Sequence, residues 1–316
     1  MLKYILKRII YSIITLWFVA TLTFFLMHCL PGNPFASEKA IPPQIMEQLM
    51  EKYGLNLSLS HQYFIYLWHL MQGNFGLSMT QPGRTVTQII LSHFPYSLDI
   101  GVKAVIFGLV FGLVMGVIAA LNRAKKWDTM ALIVAIIGVS VPSFAIAGIL
   151  QWGVISILMH TGVLILPIAG YNQRWATILP MIALGMATVA MITRLMRAST
   201  IEVLGQDYIK TARAKGVSST NIIIKHCLRN AIMPVITYLG PMVAAILTGS
   251  LVIEKIFAIP GIGKYFVDSI MNNDYTVALG ITVFYAAFLI AMVLIVDISY
   301  AFIDPRIRVN AKAGER

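Results

Sequence analysis

The sequence of 316 residues predicts an all-α, polytopic membrane protein, a single transmembrane domain 1–316 with six transmembrane helices. Hydrophobic residues form 58% of the chain and charged residues only 12%, against about 25% charged residues in a soluble domain. Six stretches without a charged residue are each long enough for the ~20 apolar residues that cross a bilayer. The basic residues are concentrated in alternate loops, as expected when loops alternate between the two sides of a membrane.

The six helices are placed within these charge-free stretches. They are predicted at about 9–29, 102–122, 130–158, 176–197, 234–254 and 277–302. The third stretch, Thr129–Gln173, is too long for one span, so its second part is expected to form a loop at the outer surface. The spans leave an extracytoplasmic region, 30–101, and a polar segment, 198–233, between the fourth and fifth helices.

Two short helices and a turn are predicted in the extracytoplasmic region. The prolines and glycine of Pro31–Pro34 end the first span and turn the chain. Ile41–Tyr53 reads as a helix, because its two prolines suit a helix start. Tyr63–Met71 is apolar but too short to cross a bilayer, so we predict an amphipathic helix on the outer surface. This region either covers the outer opening of the helix bundle or forms part of the surface on which a soluble delivery protein docks.

The charge distribution predicts the orientation. Of the 24 Lys and Arg residues, 17 lie on the side that holds both termini and 7 on the other. The acidic residues divide 5 to 7, with Asp297 inside the last span, so the first side carries +12 and the second is neutral. The basic side is expected to be cytoplasmic. The predicted topology thus explains the net charge of +11 without a nucleic-acid partner. It also places Cys29 and Cys227 on opposite sides of the membrane, so we expect no disulfide between them.

The second span carries Gly108, Gly112 and Gly116, two overlapping GxxxG steps. Such steps let another helix backbone approach closely. We favour a partner helix within the same subunit, and contact with a second subunit stays open.

A candidate translocation path is predicted from residues near one proline and one acid at a span boundary. It comprises Ser140, Pro142, Ser143, Phe144 and Glu254. A proline frees a backbone carbonyl that neighbouring serines can satisfy, which suits a helix that lines a path. A purely structural kink fits the pattern equally well, and Glu254 either faces an aqueous path or is simply solvated.

The sequence contains no motif for catalysis, nucleotide hydrolysis or metal binding. The Walker A pattern GxxxxGK[ST] is absent, since the nearest string, Gly261–Tyr265, lacks the leading glycine and the Ser or Thr. HExxH, CxxC and GxSxG are also absent, and the six histidines show no ligand spacing. We therefore expect no enzyme, no cofactor and no metal on this chain, and a partner that supplies the energy. A secondary transporter is the rival class, but it needs membrane-embedded charges and usually internal repeats.

The segment 198–233 is predicted to contain two helices. Asp207–Ala214 forms the first, Gly216 ends it, and Ser218 and Ser219 cap a second helix over Thr220–Asn230. This arrangement of a short helix, a glycine turn and a second helix would form a compact protrusion that another protein binds. An amphipathic helix lying on anionic lipid is the alternative.

This segment resembles a known family. The stretch 207–216, DYIKTARAKG, is similar to the EAA loop of the permeases of binding-protein-dependent ABC importers. Two positions match the family pattern E-A-A-x-x-x-G and two depart from it. The pattern falls on Lys210, Thr211, Ala212 and Gly216. Where the broader family has Leu-Pro, this chain has Leu228 and Arg229.

The resemblance covers almost the whole chain and is strongest to B-type permeases of bacterial oligopeptide importers. Further similar strings are Lys7-Arg8, Pro31–Pro34, Tyr53–Leu55, Gln62-Tyr63, Gly73–Gly76, Glu254 with Pro260–Gly263, Asp274-Tyr275 and Asp304–Arg306. It implies an oligopeptide substrate, with dipeptides or nickel as alternatives. Nickel is disfavoured because the predicted spans offer no His or carboxylate ligand set.

The resemblance also implies partners and site residues. The partners are a second, C-type permease, two cytoplasmic ABC ATPases that hold the ATP and Mg, an extracytoplasmic peptide-binding protein and the lipid bilayer. The location is the bacterial cytoplasmic (inner) membrane. The ATPase-coupling residues are Asp207, Lys210, Thr211, Ala212, Arg213, Ala214, Gly216, Leu228 and Arg229.

Overall fold

The computed structural model describes residues 2–29, 35, 42–247 and 251–303, and it leaves the side chains of 2–5, 244 and 296–303 undescribed. Apart from one isolated bridge between Leu77 and Thr85, every regular element in these residues is a helix. The predicted turn Pro31–Pro34, the side chain of Asp297 and the motif Asp304–Arg306 lie outside the described residues. Contacts divide the chain into two compact units, 1–97 with 260–316, and 98–259.

The described residues contain five or six candidate membrane spans, where the sequence predicts six. Five helices are long and apolar enough to cross a membrane: Leu6–Cys29, Val86–Leu121, Ser143–Thr161, Ile178–Leu204 and Tyr275–Ile295. A sixth arises when Ser219–Ala231 and Met233–Leu247, which meet at an angle of 47°, are counted as one broken span. The all-α, polytopic fold that the sequence predicts is confirmed.

The first unit packs its two apolar spans along each other. Its helices are α1 (Leu2–Cys29), α2 (Pro43–Lys52), α3 (Leu59–Met71), the start of α4 (Val86–Leu121), α13 (Ile262–Met271) and α14 (Tyr275–Ile303). Phe24 and Met27 of α1 form a buried cluster with Ala278 and Leu279 of α14. The helices α2 and α3 agree with the two short helices predicted outside the spans.

A buried carboxylate holds the loop before α4 against the start of α14. Asp274 is 1% exposed and accepts hydrogen bonds from Ser78 Oγ (2.5 Å), Thr80 Oγ1 (2.8 Å) and Thr80 N (3.1 Å). It also accepts from the backbone N–H groups of Met79 and Val277, both at 3.2 Å, and the latter contact caps α14. A buried charge needs such a set of donors to offset its lost hydration.

The helix α13 was not predicted from the sequence, in which Gly261 and Gly263 permit a tight reversal of the chain. The backbone before α13 is extended at Gly261, and Gly263 lies buried in the first turn. The first N–H, of Ile262, donates to Ser97 Oγ at 3.0 Å, and Ile262 is fully buried. Long-range packing therefore forms a helix where the local glycine signal indicated a turn.

The second unit is organised around α7. Its elements are the rest of α4, α5 (Lys126–Ser140), α6 (Ser143–Thr161), α7 (Ile178–Leu204), α8 (Asp207–Ala214), α9 (Ser219–Asn221), a π-helix (Ile222–Leu228), α10 (Arg229–Ala231), α11 (Met233–Leu247) and α12 (Leu251–Ile256). Extensive contacts join α7 to α5, α6 and α11. These contacts place α7 at the centre of the unit.

The glycines of α4 lie against α7, which confirms packing within the same subunit. A Cβ atom on Gly112 would lie 2.7 Å from Ile192 Cβ, and one on Gly116 would lie 2.7 Å from Met196 Cβ. A Cβ on Gly108 would overlap Thr188. The two helix backbones thus approach more closely than any residue with a side chain would allow.

Three predicted spans have different bounds in the structure. The predicted 102–122 belongs to a 36-residue helix that begins at Val86 and tolerates Pro95. The predicted 130–158 is two helices, because Pro142 cannot donate to the helix before it and instead starts α6. The predicted 234–254 is described as α11 and α12, with 248–250 outside the described residues.

Replacement of Gly112 tests the close contact of α4 and α7. We expect Gly112→Ala to lower the free energy of unfolding by about 1–3 kcal/mol, the usual cost of overpacking. The readout is the thermal unfolding temperature of the purified complex. Gly148→Ala is the matched control, because a Cβ on Gly148 meets no atom within 4 Å. Equal loss in both variants would contradict the packing argument.

Replacement of Asp274 tests the buried carboxylate. Asp274→Ala leaves its buried donors unpaired, at roughly 1–3 kcal/mol for each, so the unfolding temperature should fall and the 78–80 loop should become susceptible to protease. Glu47→Ala, which removes an exposed acid in α2, should change neither. Wild-type stability of Asp274→Ala would show that the carboxylate does not hold the loop.

Candidate functional site

The helix α8 projects from the end of α7. After Leu204 the chain turns at Gly205 and Gln206, and α8 begins at Asp207, as the sequence predicts. Within α8 only Ile209 is buried, at 0% exposure. Ala212 is half-buried, and the remaining side chains of α8 are exposed. The exposed set is Asp207, Tyr208, Lys210, Thr211, Arg213 and Ala214.

A Schellman motif ends α8. Gly216 has φ +73°, donates its N–H to Arg213 O at 3.0 Å, and is followed by Val217, whose N–H reaches Ala212 O at 3.2 Å. This pair of bonds satisfies carbonyls that the helix end leaves free. The positive φ is the reason for glycine here, because a Cβ on Gly216 would meet no atom within 4 Å.

The second arm of the segment returns to α7 through a π-helix. Ser218 caps it by accepting from Asn221 N at 3.4 Å, as predicted. The π-helical run Ile222–Leu228 replaces the regular α-helix expected from the sequence. Cys227 is fully buried, with Sγ 3.9 Å from Thr200 O of α7. The arm is therefore held against the end of α7.

Side chains that the sequence did not single out join the two arms. Asn230 Nδ2 donates to Tyr208 OH at 2.8 Å across 22 positions of sequence. Of the predicted coupling residues, Leu228 is half-buried and packs against the core of the unit, whereas Arg229 is exposed. The sequence analysis did not identify the inward face of α8, although the i to i+3 spacing of Ile209 and Ala212 could have indicated it.

An ion pair joins α5 to α7 near the same end of α7. Arg197 Nε lies 2.6 Å from Asp128 Oδ1, and its Nη2 lies 2.8 Å from Oδ2, a bidentate contact. The Arg197 hydrogen bond lowers the pKa of Asp128 to about 2; burial opposes this shift, and the Ala124 N–H adds to it. Sequence reading missed this pair because its members are 69 positions apart.

The predicted path residues differ in their surroundings. Ser140, Pro142 and Phe144 are exposed at the junction of α5 and α6, and Ser143 is half-buried. Glu254 is 3% exposed within α12. Such exposure has two equally good explanations. The residues could line a path that is completed by a second subunit, or they could face lipid. The path assignment stays a prediction.

Comparison with known proteins identifies the family. Residues 112–309 match the family described as the inner membrane component of binding-protein-dependent transport systems. Residues 1–101 match the N-terminal region of the membrane component of such systems. The chain belongs to this family.

The similar proteins span the full length of this permease. It is 44% identical over 310 residues, 98% of this chain and 100% of the relative, to the oligopeptide transport system permease protein OppB of Haemophilus influenzae. It is 44% identical over 314 residues, 99% and 100% respectively, to the dipeptide transport system permease protein DppB of Bacillus subtilis. The oligopeptide permease OppB of Escherichia coli K12 is 42% identical over 98% of this chain and 100% of its own. The resemblance stated from the sequence is confirmed.

Acidification tests the ion pair of the permease. Because the native pKa of Asp128 lies below its unfolded value of about 3.9, the pair contributes stability above that value and loses it as pH falls toward 2. Asp128→Asn should cost about 3 kcal/mol at neutral pH, and the gap to wild type should close between pH ~4 and ~2.

The control for this experiment is an exposed pair. Asp207 and Lys210 lie 2.8 Å apart with most of both side chains exposed, so Asp207→Asn should leave the unfolding temperature unchanged. A constant gap between wild type and Asp128→Asn across the acidic range would contradict the assignment.

Proposed function

We propose that this chain is the membrane-spanning permease subunit of an ATP-driven peptide importer and forms half of its translocation path. The observation that carries the proposal is full-length identity of 42–44% to permease proteins named for oligopeptide and dipeptide transport. The bacterial inner membrane is its proposed location, with both termini and the 198–233 segment in the cytoplasm. The concentration of Lys and Arg on that side supports the orientation.

The second half of the path and the energy are proposed to come from other subunits. A second, C-type permease would complete the path, two cytoplasmic ABC ATPases would bind ATP and Mg, and an extracytoplasmic binding protein would deliver the peptide. The apolar surfaces of α5 and α6 are open to such a partner or to lipid, since Ile136, Phe144 and Trp152 are 53–69% exposed.

Coupling is proposed to pass through α8. A short helix with six exposed side chains and one fully buried residue presents a compact surface that fits a groove on an ATPase. Its buried Ile209, together with the contact of Cys227 with Thr200, would transmit a displacement of α8 to α7. Closure of the ATPases would thereby move α7 and the helices packed against it.

Oligopeptides are the proposed substrates, and dipeptides are the second candidate because a dipeptide permease is equally similar. Competition distinguishes them. In proteoliposomes that contain the whole transporter, uptake of a labelled pentapeptide should be inhibited by unlabelled pentapeptide and only weakly by a dipeptide. Uptake of a labelled dipeptide without uptake of the labelled pentapeptide would favour the second candidate.

Replacement of Gly216 tests the coupling role. Gly216→Val forces a branched side chain into the left-handed region and should distort the end of α8, so peptide uptake and co-purification of the ATPases should fall together. Gly216→Asn should retain more of both, since Asn tolerates positive φ.

The matched control is Gly162→Val, because Gly162 also has a φ of +72° after a helix and open space around it but follows α6. It should retain ATPase binding. Unchanged uptake with intact assembly in Gly216→Val would overturn the coupling role.

A further inference from the structure

The helix α3 has apolar side chains on two opposite faces. Tyr63 and Tyr66 pack against the buried cluster that contains Phe24 of α1. On the other face, Phe64, Trp68 and Met71 are 68%, 60% and 74% exposed. Their spacing of four and three residues places these three side chains on one stripe of the helix. The sequence predicted one apolar face, and the second needs a partner.

Ring contacts place α3 alongside the last two turns of α1. Tyr63 OH donates to Thr21 Oγ1 at 2.7 Å, because the Thr21 hydroxyl already donates to Trp17 O at 2.8 Å. The Tyr63 ring lies 5.4 Å from that of Phe24, and His28 Nε2 lies 3.1 Å from Gln62 Oε1. Thr21 is eight residues before the end of α1 at Cys29, or about 12 Å along the helix axis. The contact therefore reaches well into the apolar span.

The exposed surface of α1 continues onto α3. Only 11% of the most apolar window of α1 is buried, and Leu22, Phe25 and Leu26 are 44–56% exposed at this level. Phe25 stacks on Tyr63 with ring centroids 5.7 Å apart, and Tyr63 lies 5.7 Å from Phe64. The exposed apolar side chains of α1 and α3 thus belong to one continuous surface.

The composition of α3 favours lipid as the partner. Its thirteen residues include no Lys, Arg, Asp or Glu. A helix of this length measures about 20 Å, which is too short to span the bilayer. Trp and Tyr are the residues that concentrate where the headgroups meet the acyl chains.

We propose that Phe64, Trp68 and Met71 insert into the lipid leaflet at the Cys29 end of α1, and that α3 is an interfacial helix. Lipid acyl chains cover its exposed stripe, while Tyr63 and Gln62 tie it to α1. The helix would fix the depth of α1 in the bilayer. The inference depends on α1 crossing the membrane and is independent of which peptide is transported.

Bromolipid quenching tests the depth of Trp68. The whole transporter is reconstituted with phosphatidylcholine brominated either near the headgroup or deep in the acyl chain. The emission of Trp68 is obtained as the difference between wild type and Trp68→Phe, a substitution that keeps the aromatic surface. We expect lipid brominated near the headgroup to quench this emission more strongly than lipid brominated deep in the acyl chain. No quenching by either lipid, together with quenching by aqueous iodide, would overturn the proposal.

Photo-crosslinking distinguishes lipid from protein as the occupant. A photoreactive phenylalanine derivative is placed at Phe64 or Trp68 in the assembled transporter in native membranes. The lipid-facing control is Leu22 on α1, and the exposed control outside the spans is Glu47 on α2. We expect lipid adducts at positions 64, 68 and 22 and none at 47. A protein adduct at 64 and 68, with lipid adducts only at 22, would show that another subunit covers α3.

Discussion

The direct approach of two helix backbones, α4 and α7, is the contact on which the second unit depends. In a bilayer, apolar side chains gain little by leaving lipid for one another, so close packing must hold helices together. Close approach of α7 is possible because α4 has glycine at Gly108, Gly112 and Gly116. Gly185 of α7 plays the same part on the other helix, since a Cβ atom there would lie 2.8 Å from the Phe107 ring of α4. The position of α7 is therefore set by the shape of α4.

The segment 198–233, which continues the chain from the end of α7, is fixed by this position. Cys227 and Ala231 belong to the buried core cluster of the unit, and Ile209 and Ile222 are also nearly or fully buried. The ion pair of Asp128 with Arg197 adds a polar contact between α5 and α7 close to the same end. The exposed helix α8 thus packs on the π-helix, and the π-helix in turn contacts α7.

Local signals in the sequence were sufficient for some elements and not for others. The helix Asp207–Ala214 was predicted with the bounds that it has in the structure, because a polar run followed by glycine specifies both its existence and its end. The helix Ile262–Met271 was missed, since its first N–H is satisfied by Ser97, which no local pattern reveals. The ion pair of Asp128 was missed for the same reason: its partner is distant in the chain. Pro142 was noticed, but its effect was underestimated, because it separates two helices and does not merely bend one.

The geometry of α8 explains which family positions this chain keeps. An eight-residue helix is too short to be stable alone, so its shape depends on buried Ile209 and on the backbone bonds at its end. Ala212 is half-buried, and its carbonyl accepts the Val217 N–H bond of the Schellman motif that ends α8. Gly216 has a positive φ. These two positions match the family pattern. Lys210 and Thr211, which depart from it, are exposed, and their side chains donate to Asp207 within α8 itself. The departures therefore change the chemistry of the exposed surface of α8 and leave its shape intact.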